Sequence, residues 1–276
     1  MARVDAHTHL FPPSQVRSRE AIAARDEGFA ELYAHAGVEL ADAAALRGAL
    51  REARFDAAVA LGFAFAGERE ISEQNEYLLA IATEVPPAIV PFATVNPALP
   101  GWEVEAGRAI TAGARGFGEL RPGTQGWDPI GAGGRRLAAL AAEARVALLW
   151  HTSEPVGHCY PGKGGGLTPA ELIAVASAAP DVTMIGAHLG AGASFYLGMP
   201  EVRAATPNLL FDTAAASLLY DSECVTRLVQ AAGAERVLFG SDFPLRTPAA
   251  ELKRALAGLP AAAAQAVAGG NAERFL

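Results

Sequence analysis

Asp5-Ala6-His7-Thr8-His9 places two imidazoles two residues apart near the start of the sequence. In an extended strand, side chains at i and i+2 project to the same side, so His7 and His9 would face one way. Two imidazoles on one face can bind a single divalent ion of the zinc or iron type. Two histidines satisfied by ordinary hydrogen bonds would leave the same short pattern. Other polar residues close strongly apolar runs. Glu119 follows Gly116-Phe117-Gly118, and His151 follows Val146-Ala147-Leu148-Leu149-Trp150. His188 follows Met184-Ile185-Gly186-Ala187, and Asp242 follows Val237-Leu238-Phe239-Gly240-Ser241. Four of the chain's 6 histidines therefore stand at the ends of candidate strands.

Those residues need elements that bring them together. Short β-rich runs occupy 3–9, 56–63, 89–95, 115–120, 146–151, 182–188, 209–212 and 237–241. Several are continuously apolar, as expected of strands buried on both faces of a parallel sheet. Helical patterns lie between them, at 134–144, 169–179, 222–232 and 249–257 among others. Thr168-Pro169-Ala170-Glu171 reads as an N-cap with proline at the first helical position. Eight strands alternating with helices predict an α/β fold of the (β/α)8 barrel type, one domain over residues 1–276. No GxGxxG follows the first strand, which weakens a dinucleotide-binding sheet. The interval 10–55 is too long for a simple connection and predicts an inserted segment, a candidate lid, before the first outer helix. In a closed parallel barrel all strand C-termini meet at one mouth, where active sites of this fold lie. His7, His9, Glu119, His151, His188 and Asp242 are expected to converge there.

Composition bounds the rest. The 276 residues are 51% hydrophobic and 19% charged, enough for a large core. A formal charge of −8 lacks the basic footprint of a nucleic-acid binder. Cys159 and Cys224 form no CxxC pair and suit a reducing compartment. No uncharged run approaches the roughly 18 apolar residues of a membrane span, and Asp5, His7 and His9 interrupt any signal-peptide core. The expectation is a cytoplasmic protein that acts on a small molecule and neither spans a membrane nor binds nucleic acid.

VDAHTHLFP, LLWHTSEP, MIGAHLGAG and VLFGSDFPL, with GGNAERFL at the end, resemble the amidohydrolase superfamily. Within it they resemble the branch containing aminocarboxymuconate-semialdehyde decarboxylase and related metal-dependent hydrolases. The resemblance implies metal ligation, usually of zinc, by His7, His9, His151 and Asp242. It implies that His188 acts on the metal-bound water or ligates a second ion, and that a dimer is a common state. Glu119 resembles the carboxylate that bridges two metals in some branches. Alternatively it orients a ligand histidine or pairs with Arg121. One ion is favoured over two, because the branch the motifs resemble works with one metal and because Arg121 is a ready partner for the charge of Glu119.

A metal at such a site activates water or polarises a substrate oxygen, with His188 or Asp242 moving the proton. The polar loop 151–163 offers His158, Tyr160 and Lys163 as substrate contacts, and Arg121 joins them from the neighbouring strand. Asp212 is a candidate to orient a ligand, His35 is expected to be structural, and Asn271 to cap a last short helix. The leading expectation is hydrolysis of a small amide, ester or lactone. The alternative is non-oxidative decarboxylation of a small unsaturated or aromatic acid. A non-catalytic binding protein is a third reading, against which the intact ligand set argues.

Overall fold

The computed structural model describes residues 2–273; residues 274–276, the end of the terminal GGNAERFL motif, lie outside them. Eight parallel strands follow one another around the sheet in chain order. They are β1 (Val4–His9), β2 (Ala57–Leu61), β3 (Ala88–Ala93), β4 (Gly116–Leu120), β5 (Ala147–Trp150), β6 (Met184–Gly186), β7 (Leu209–Asp212) and β8 (Val237–Leu238). The chain beyond β8 returns to β1. Ala6 N–H donates to Phe239 O at 2.8 Å, Asp242 N–H to His7 O at 3.0 Å, and His9 N–H to Phe243 O at 2.7 Å. These bonds close the sheet into the barrel that strand–helix alternation predicts.

Most predicted strands are shorter than expected, and β6 and β8 are the shortest. Segment 182–188 pairs only over Met184–Gly186, and 237–241 only over Val237–Leu238. Soon after each, the backbone turns left-handed, at His188 (φ 55°) and Asp242 (φ 63°). The predicted helices form with small shifts, at Ala132–Ala144, Pro169–Ala178, Cys224–Ala232 and Pro248–Ala255. Thr168 and Glu171 make a reciprocal capping box, which satisfies two amide donors left open at a helix start. Asn271 caps the end of the last described helical turn, and its amide donates at 2.7 Å to the carbonyls of Ala234 and Val237, tying that turn to the start of β8.

Strand alternation divides the apolar residues into two layers. Val4, Ala6, Val59, Phe92, Ala147, Leu149, Ile185, Leu210 and Leu238 pack together inside the barrel. Phe117, Leu120, Leu148, Trp150, Met184, Leu209, Phe211, Val237 and Phe239 pack outward with the helices. The segment after β1 holds three short helices, α1 (Pro13–Arg17), α2 (Arg19–Ala23) and α3 (Glu27–Tyr33). The first outer helix, α4 (Ala43–Ala53), follows them. Asp26 caps α3 by accepting from Phe29 N–H, and its other oxygen accepts from Ala66 N–H, both at 2.8 Å. Phe11, Ile22, Phe29, Leu40, Phe63, Phe65 and Ile71 form a third apolar cluster under this insertion. The insertion is thus packed onto the mouth side of β1 and β2. Among the described residues no helix is long and apolar enough to cross a membrane, and both cysteines are free.

Leu149 is fully buried inside the barrel, whereas Val104 is 77% exposed on an outer helix. Leu149→Ala is expected to lower stability by about 2–5 kcal/mol through lost burial and a residual cavity. Val104→Ala should stay within about 0.5 kcal/mol. Urea unfolding of both variants measures the difference; equal midpoints would contradict this assignment of the core.

Candidate metal centre

β1 and β4 share a local irregularity that aims their polar residues. Along β1 the pairing with β2 runs Asp5↔Ala58 and then Thr8↔Ala60, three steps against two. Along β4 it runs Phe117↔Leu148 and then Leu120↔Trp150. A residue gained in this way re-aims the side chains after it, a device common beside active sites. With Thr8 turned outward to donate to Val59 O at 2.7 Å, His7 and His9 project into the mouth. With Phe117 and Leu120 both in the outer layer, Glu119 turns inward. His151 and Asp212 arrive by plain alternation with Leu149 and Leu210. His188 and Asp242 arrive through left-handed backbone, which histidine and aspartate adopt more readily than most residues.

The structure brings together all six residues expected at the mouth. His7 Nε2 lies 3.1 Å from His9 Nε2, and Asp242 Oδ1 is 3.7 Å from each. Glu119 Oε1 lies 2.9 Å from His151 Nδ1, 3.2 Å from His188 Nε2 and 3.9 Å from His7 Nε2. Glu119 Oε2 is 3.5 Å from His9 Nε2. The remaining contact, His188 Nε2 to His151 Nδ1, is 3.1 Å. None of the four histidines exceeds 9% exposure.

Their outer nitrogens identify the tautomers. Asp212 accepts the backbone N–H groups of His188 and Ala214 on one oxygen, both at 3.0 Å, and meets His7 Nδ1 at 2.8 Å on the other. An ionised carboxylate only accepts, so His7 Nδ1 is the donor. His188 Nδ1 donates to Ala214 O at 3.2 Å, and His151 Nε2 to Gly162 O at 2.7 Å. In the neutral rings the inner nitrogens, His7 Nε2, His188 Nε2 and His151 Nδ1, therefore carry lone pairs. Lone pairs 3.1–3.2 Å apart in a buried space repel unless a cation or proton lies among them. Two triads have donor atoms close enough to share one ion, His7/His9/Asp242 and His7/Glu119/His188. The donor set fits a divalent metal, and Asp212 supplies the outer carboxylate that fixes a ligating imidazole.

The electrostatics point the same way. Burial works against a charge on His7, but Asp212, then Glu119 and Asp242, outweigh it and lift the ring to about 10. Burial likewise opposes charging His188, and Glu119 followed by Asp242 raises it to about 9. Burial would raise the Glu119 carboxyl, yet His151, His188 and His7 hold it well below the usual carboxylate range. The field that attracts a proton to these nitrogens attracts a metal cation equally well. Behind β1, burial pushes Asp5 up to about 7 despite N–H donors from Ser241 at 2.9 Å and His7 at 3.2 Å.

Arg121 is not the partner of Glu119. Its Nη2 donates to Glu31 Oε2 and its Nε to Gly164 O, both at 2.7 Å. That removes one of the two grounds on which one ion was favoured over two, and leaves the resemblance to a one-metal branch. Arg121 Nη1 is buried without a hydrogen-bond partner among the described residues. The other three loop residues expected to contact substrate are taken up locally. Lys163 Nζ donates to Val156 O at 2.5 Å and His158 O at 2.8 Å. Tyr160 donates to Glu154 at 2.7 Å, a carboxylate that also accepts from Tyr220. His158 is exposed beside Tyr160. His35 plays a local role, accepting Gly37 N–H at 3.1 Å. A cavity of about 60 Å³ lined by Ile71, Val95, Asn96, Leu99 and Trp102 shares no residue with the histidine set.

Sequence reasoning missed Glu31, Tyr33 and the carbonyls of Gly162 and Ala214. Tyr33 packs on Phe11 and Phe63 with ring centres 5.0 and 5.6 Å away. Burial first, then Asp242 and Glu119, raise its hydroxyl pKa, which places it within electrostatic reach of the centre. No motif marks these groups; only the aromatic content of the insertion hinted at them.

The family model described as Amidohydrolase matches residues 4–276. Among solved structures, a 5-carboxyvanillate decarboxylase from Sphingomonas paucimobilis superposes with a TM-score of 0.79 at 14% identity, over 99% of this chain and 98% of that one. A 5-carboxyvanillate decarboxylase from Novosphingobium aromaticivorans, complexed with manganese and 4-hydroxy-3-methoxy-5-nitrobenzoic acid, gives 0.75 at 15% identity over 99% and 95%. A 2,6-dihydroxybenzoate decarboxylase from Rhizobium gives 0.70 at 15% identity over 100% and 98%. No curated protein sequence matches.

Asp212→Asn tests the tautomer argument. An amide can turn its NH2 towards Nδ1 and stabilise the wrong tautomer of His7. Metal affinity is expected to fall about 10–100-fold, as for other partners of ligating histidines. Calorimetric titration of the metal-free protein measures it; affinity equal to wild type would remove Asp212 from the centre.

Proposed function

This chain belongs to the amidohydrolase family, whose model spans residues 4–276, and from that we propose a metal-dependent enzyme that releases carbon dioxide from a small aromatic or unsaturated carboxylic acid. The observation that carries the reading is the convergence of the buried donor set, with the aromatic cluster of the insertion beginning two residues beyond His9. Phe11, two residues beyond His9, meets Tyr33 and Phe63 at 5.0 and 6.3 Å between ring centres. A flat ring packs against such rings in offset or edge-on geometry. The decarboxylases of substituted benzoates that share this fold support decarboxylation over hydrolysis. Hydrolysis of an amide, ester or lactone, first in the sequence reading, becomes the second reading.

A bound divalent ion supplies a Lewis acid for a substrate carboxylate or a neighbouring oxygen. His7, His9, His151 and Asp242 are the proposed ligands, with Glu119 as a further one. Manganese is considered beside zinc, because one relative was solved with manganese. Loss of CO2 from an unsaturated carbon needs a proton delivered to that carbon. The C–CO2 bond then breaks and its electron pair returns to the ring. Asp242 and His188 are the side chains proposed to deliver that proton. Arg121 Nη1 is the proposed contact for a polar substituent. Burial of the whole set keeps bulk water from competing for the proton.

The test supplies the chain, loaded with Mn2+ or Zn2+, with hydroxylated benzoates and small unsaturated acids, and follows CO2. Metal-dependent CO2 release that a chelator abolishes is the expected result. Ester, amide or lactone cleavage without CO2 from any acid would reverse the order of the two readings. With a single ion held by His7, His9, His151 and Asp242, His188→Asn should keep the metal and lose about 10²–10⁴-fold in turnover, the usual contribution of a positioned acid–base group. Unchanged turnover would remove His188 from the chemistry.

A further inference from the structure

Glu31 belongs to the insertion, not to the barrel, yet its carboxylate touches both residues that shape the rear of the centre. Oε1 accepts Gly162 N–H at 2.9 Å, and Oε2 accepts Arg121 Nη2 at 2.7 Å. The carbonyl of the same Gly162 accepts His151 Nε2–H at 2.7 Å. Arg121 in turn holds the loop one step further on, through Nε to Gly164 O. Gly123 N–H adds a backbone bond to Gly165 O at 2.9 Å. The loop after β5 is therefore gripped from α3 and β4 together at the point where it fixes His151. The contact is close. A Cβ on Gly162 would lie 3.0 Å from Leu32 Cδ2 of α3, and Gly162 has φ +92°, a conformation that L side chains rarely adopt.

The charges make this contact directional. Arg121 is 3% exposed in its side chain and Glu31 37%. Burial would raise the Glu31 carboxyl, but the hydrogen bonds from Arg121 and Gly162 lower it. Loss of the Glu31 carboxylate would leave Arg121 buried beside the centre without its counter-ion, and Gly162 N–H without its acceptor. With its N–H unheld, Gly162 can change its φ and ψ and carry its carbonyl off His151 Nε2, and Nε2 then has no obligatory acceptor. Ser153 Oγ, 3.3 Å away, can donate to that nitrogen instead, which favours the tautomer with the proton on Nδ1. A proton on Nδ1 blocks the atom that faces Glu119 and His188.

We propose that Glu31 is a positioning residue for the metal centre: through Gly162 it holds His151 in the tautomer that presents Nδ1, and it does so only while α3 is docked over the β5 loop. The proposal rests on the reading of His151 as a ligand. It makes the insertion a part of the centre, so that undocking α3 to admit substrate also loosens one ligand.

Metal-free protein is titrated with Mn2+, followed by the spin-resonance signal of free ion, and with Co2+, followed by its visible d–d bands. Wild-type chain that takes up neither ion overturns the metal centre itself, and is scored before any variant. Given wild-type binding, Glu31→Ala is expected to weaken affinity about 10–100-fold and to shift the cobalt bands. Glu31→Gln, whose amide oxygen still accepts from Gly162, should remain close to wild type in both. Glu31→Leu keeps the aliphatic stem and lacks the acceptors; it carries the same expectation as alanine should Glu31→Ala fail to fold. Wild-type affinity and bands in the folded acceptor-less variant would overturn the proposal. Equal losses in Glu31→Gln would overturn the route through Gly162 and leave only the charge pair with Arg121.

Discussion

The mouth of this barrel holds charge largely shut off from water, and the surrounding structure is organised by the need to compensate it. An unpaired ion moved out of water costs several kcal/mol even after relaxation. Asp212 is fully buried, and each of its oxygens is matched, one by two backbone N–H groups and the other by His7. Glu119 is matched by histidines from β5, β6 and β1. These rings turn acceptors inward and donors outward. Outer acceptors fix the rings of His7, His188 and His151, and the inner acceptors leave a place that suits a small cation. Removing the outer partners would not unfold the barrel. It would leave the rings free to turn, and a ligand set free to turn has lost most of its advantage over water.

Strand alternation alone cannot deliver this set. A regular β1 that sends Val4 and Ala6 into the barrel sends His7 and His9 out of it. The extra residue between Asp5 and Thr8 lets the interior of the barrel stay apolar while the mouth becomes polar. β4 solves the same problem in the same way, and β6 and β8 solve it with left-handed residues at His188 and Asp242. Such residues cost about 1–3 kcal/mol each and persist only where their surroundings hold them. Asp242 is held by its own backbone bond to His7 O. Glycine completes the fit at two points. A Cβ on Gly240 would stand 2.7 Å from His7 Cβ, and one on Gly166 would stand 2.5 Å from His151 Cδ2.

The parts of the molecule that were legible in the sequence share one property: their signal is local. Apolar runs ending in His151, His188 or Asp242 show a strand and its terminal side chain in a single stretch, and a parallel barrel supplies the convergence without further information. Thr168 and Glu171 are legible for the same reason, since a capping box spans four residues. The bulges were not legible, because register is a relation between two strands and leaves no mark on either. The His7–His9 pair was placed on one face by a period-2 argument that holds, but the face was decided by the bulge. Arg121 was misread as the neighbour of Glu119 because two residues of separation on a strand imply a shared side. Its length let it reach past that side to Glu31, 90 positions away. Backbone acceptors such as Gly162 O and Ala214 O are invisible to any reading of side-chain types.

The insertion shows how a common barrel acquires a particular site. The barrel supplies six polar side chains at its rim, and any member of the fold could bring a metal there. Selectivity has to come from what faces the rim, and here that is a segment with its own apolar cluster of Phe11, Phe29, Phe63 and Phe65. This cluster gives α3 a reason to dock that does not depend on the metal. Tyr33 and Glu31, two residues apart at the end of α3, then reach the centre from the same docked surface, one as aromatic wall and one as anchor for the β5 loop. On the proposed reading, a substrate bound between these rings and the donor set would be enclosed by the contacts that order His151. Enclosure and ligand geometry would then be a single equilibrium, in which binding energy gained from the substrate's ring completes the centre.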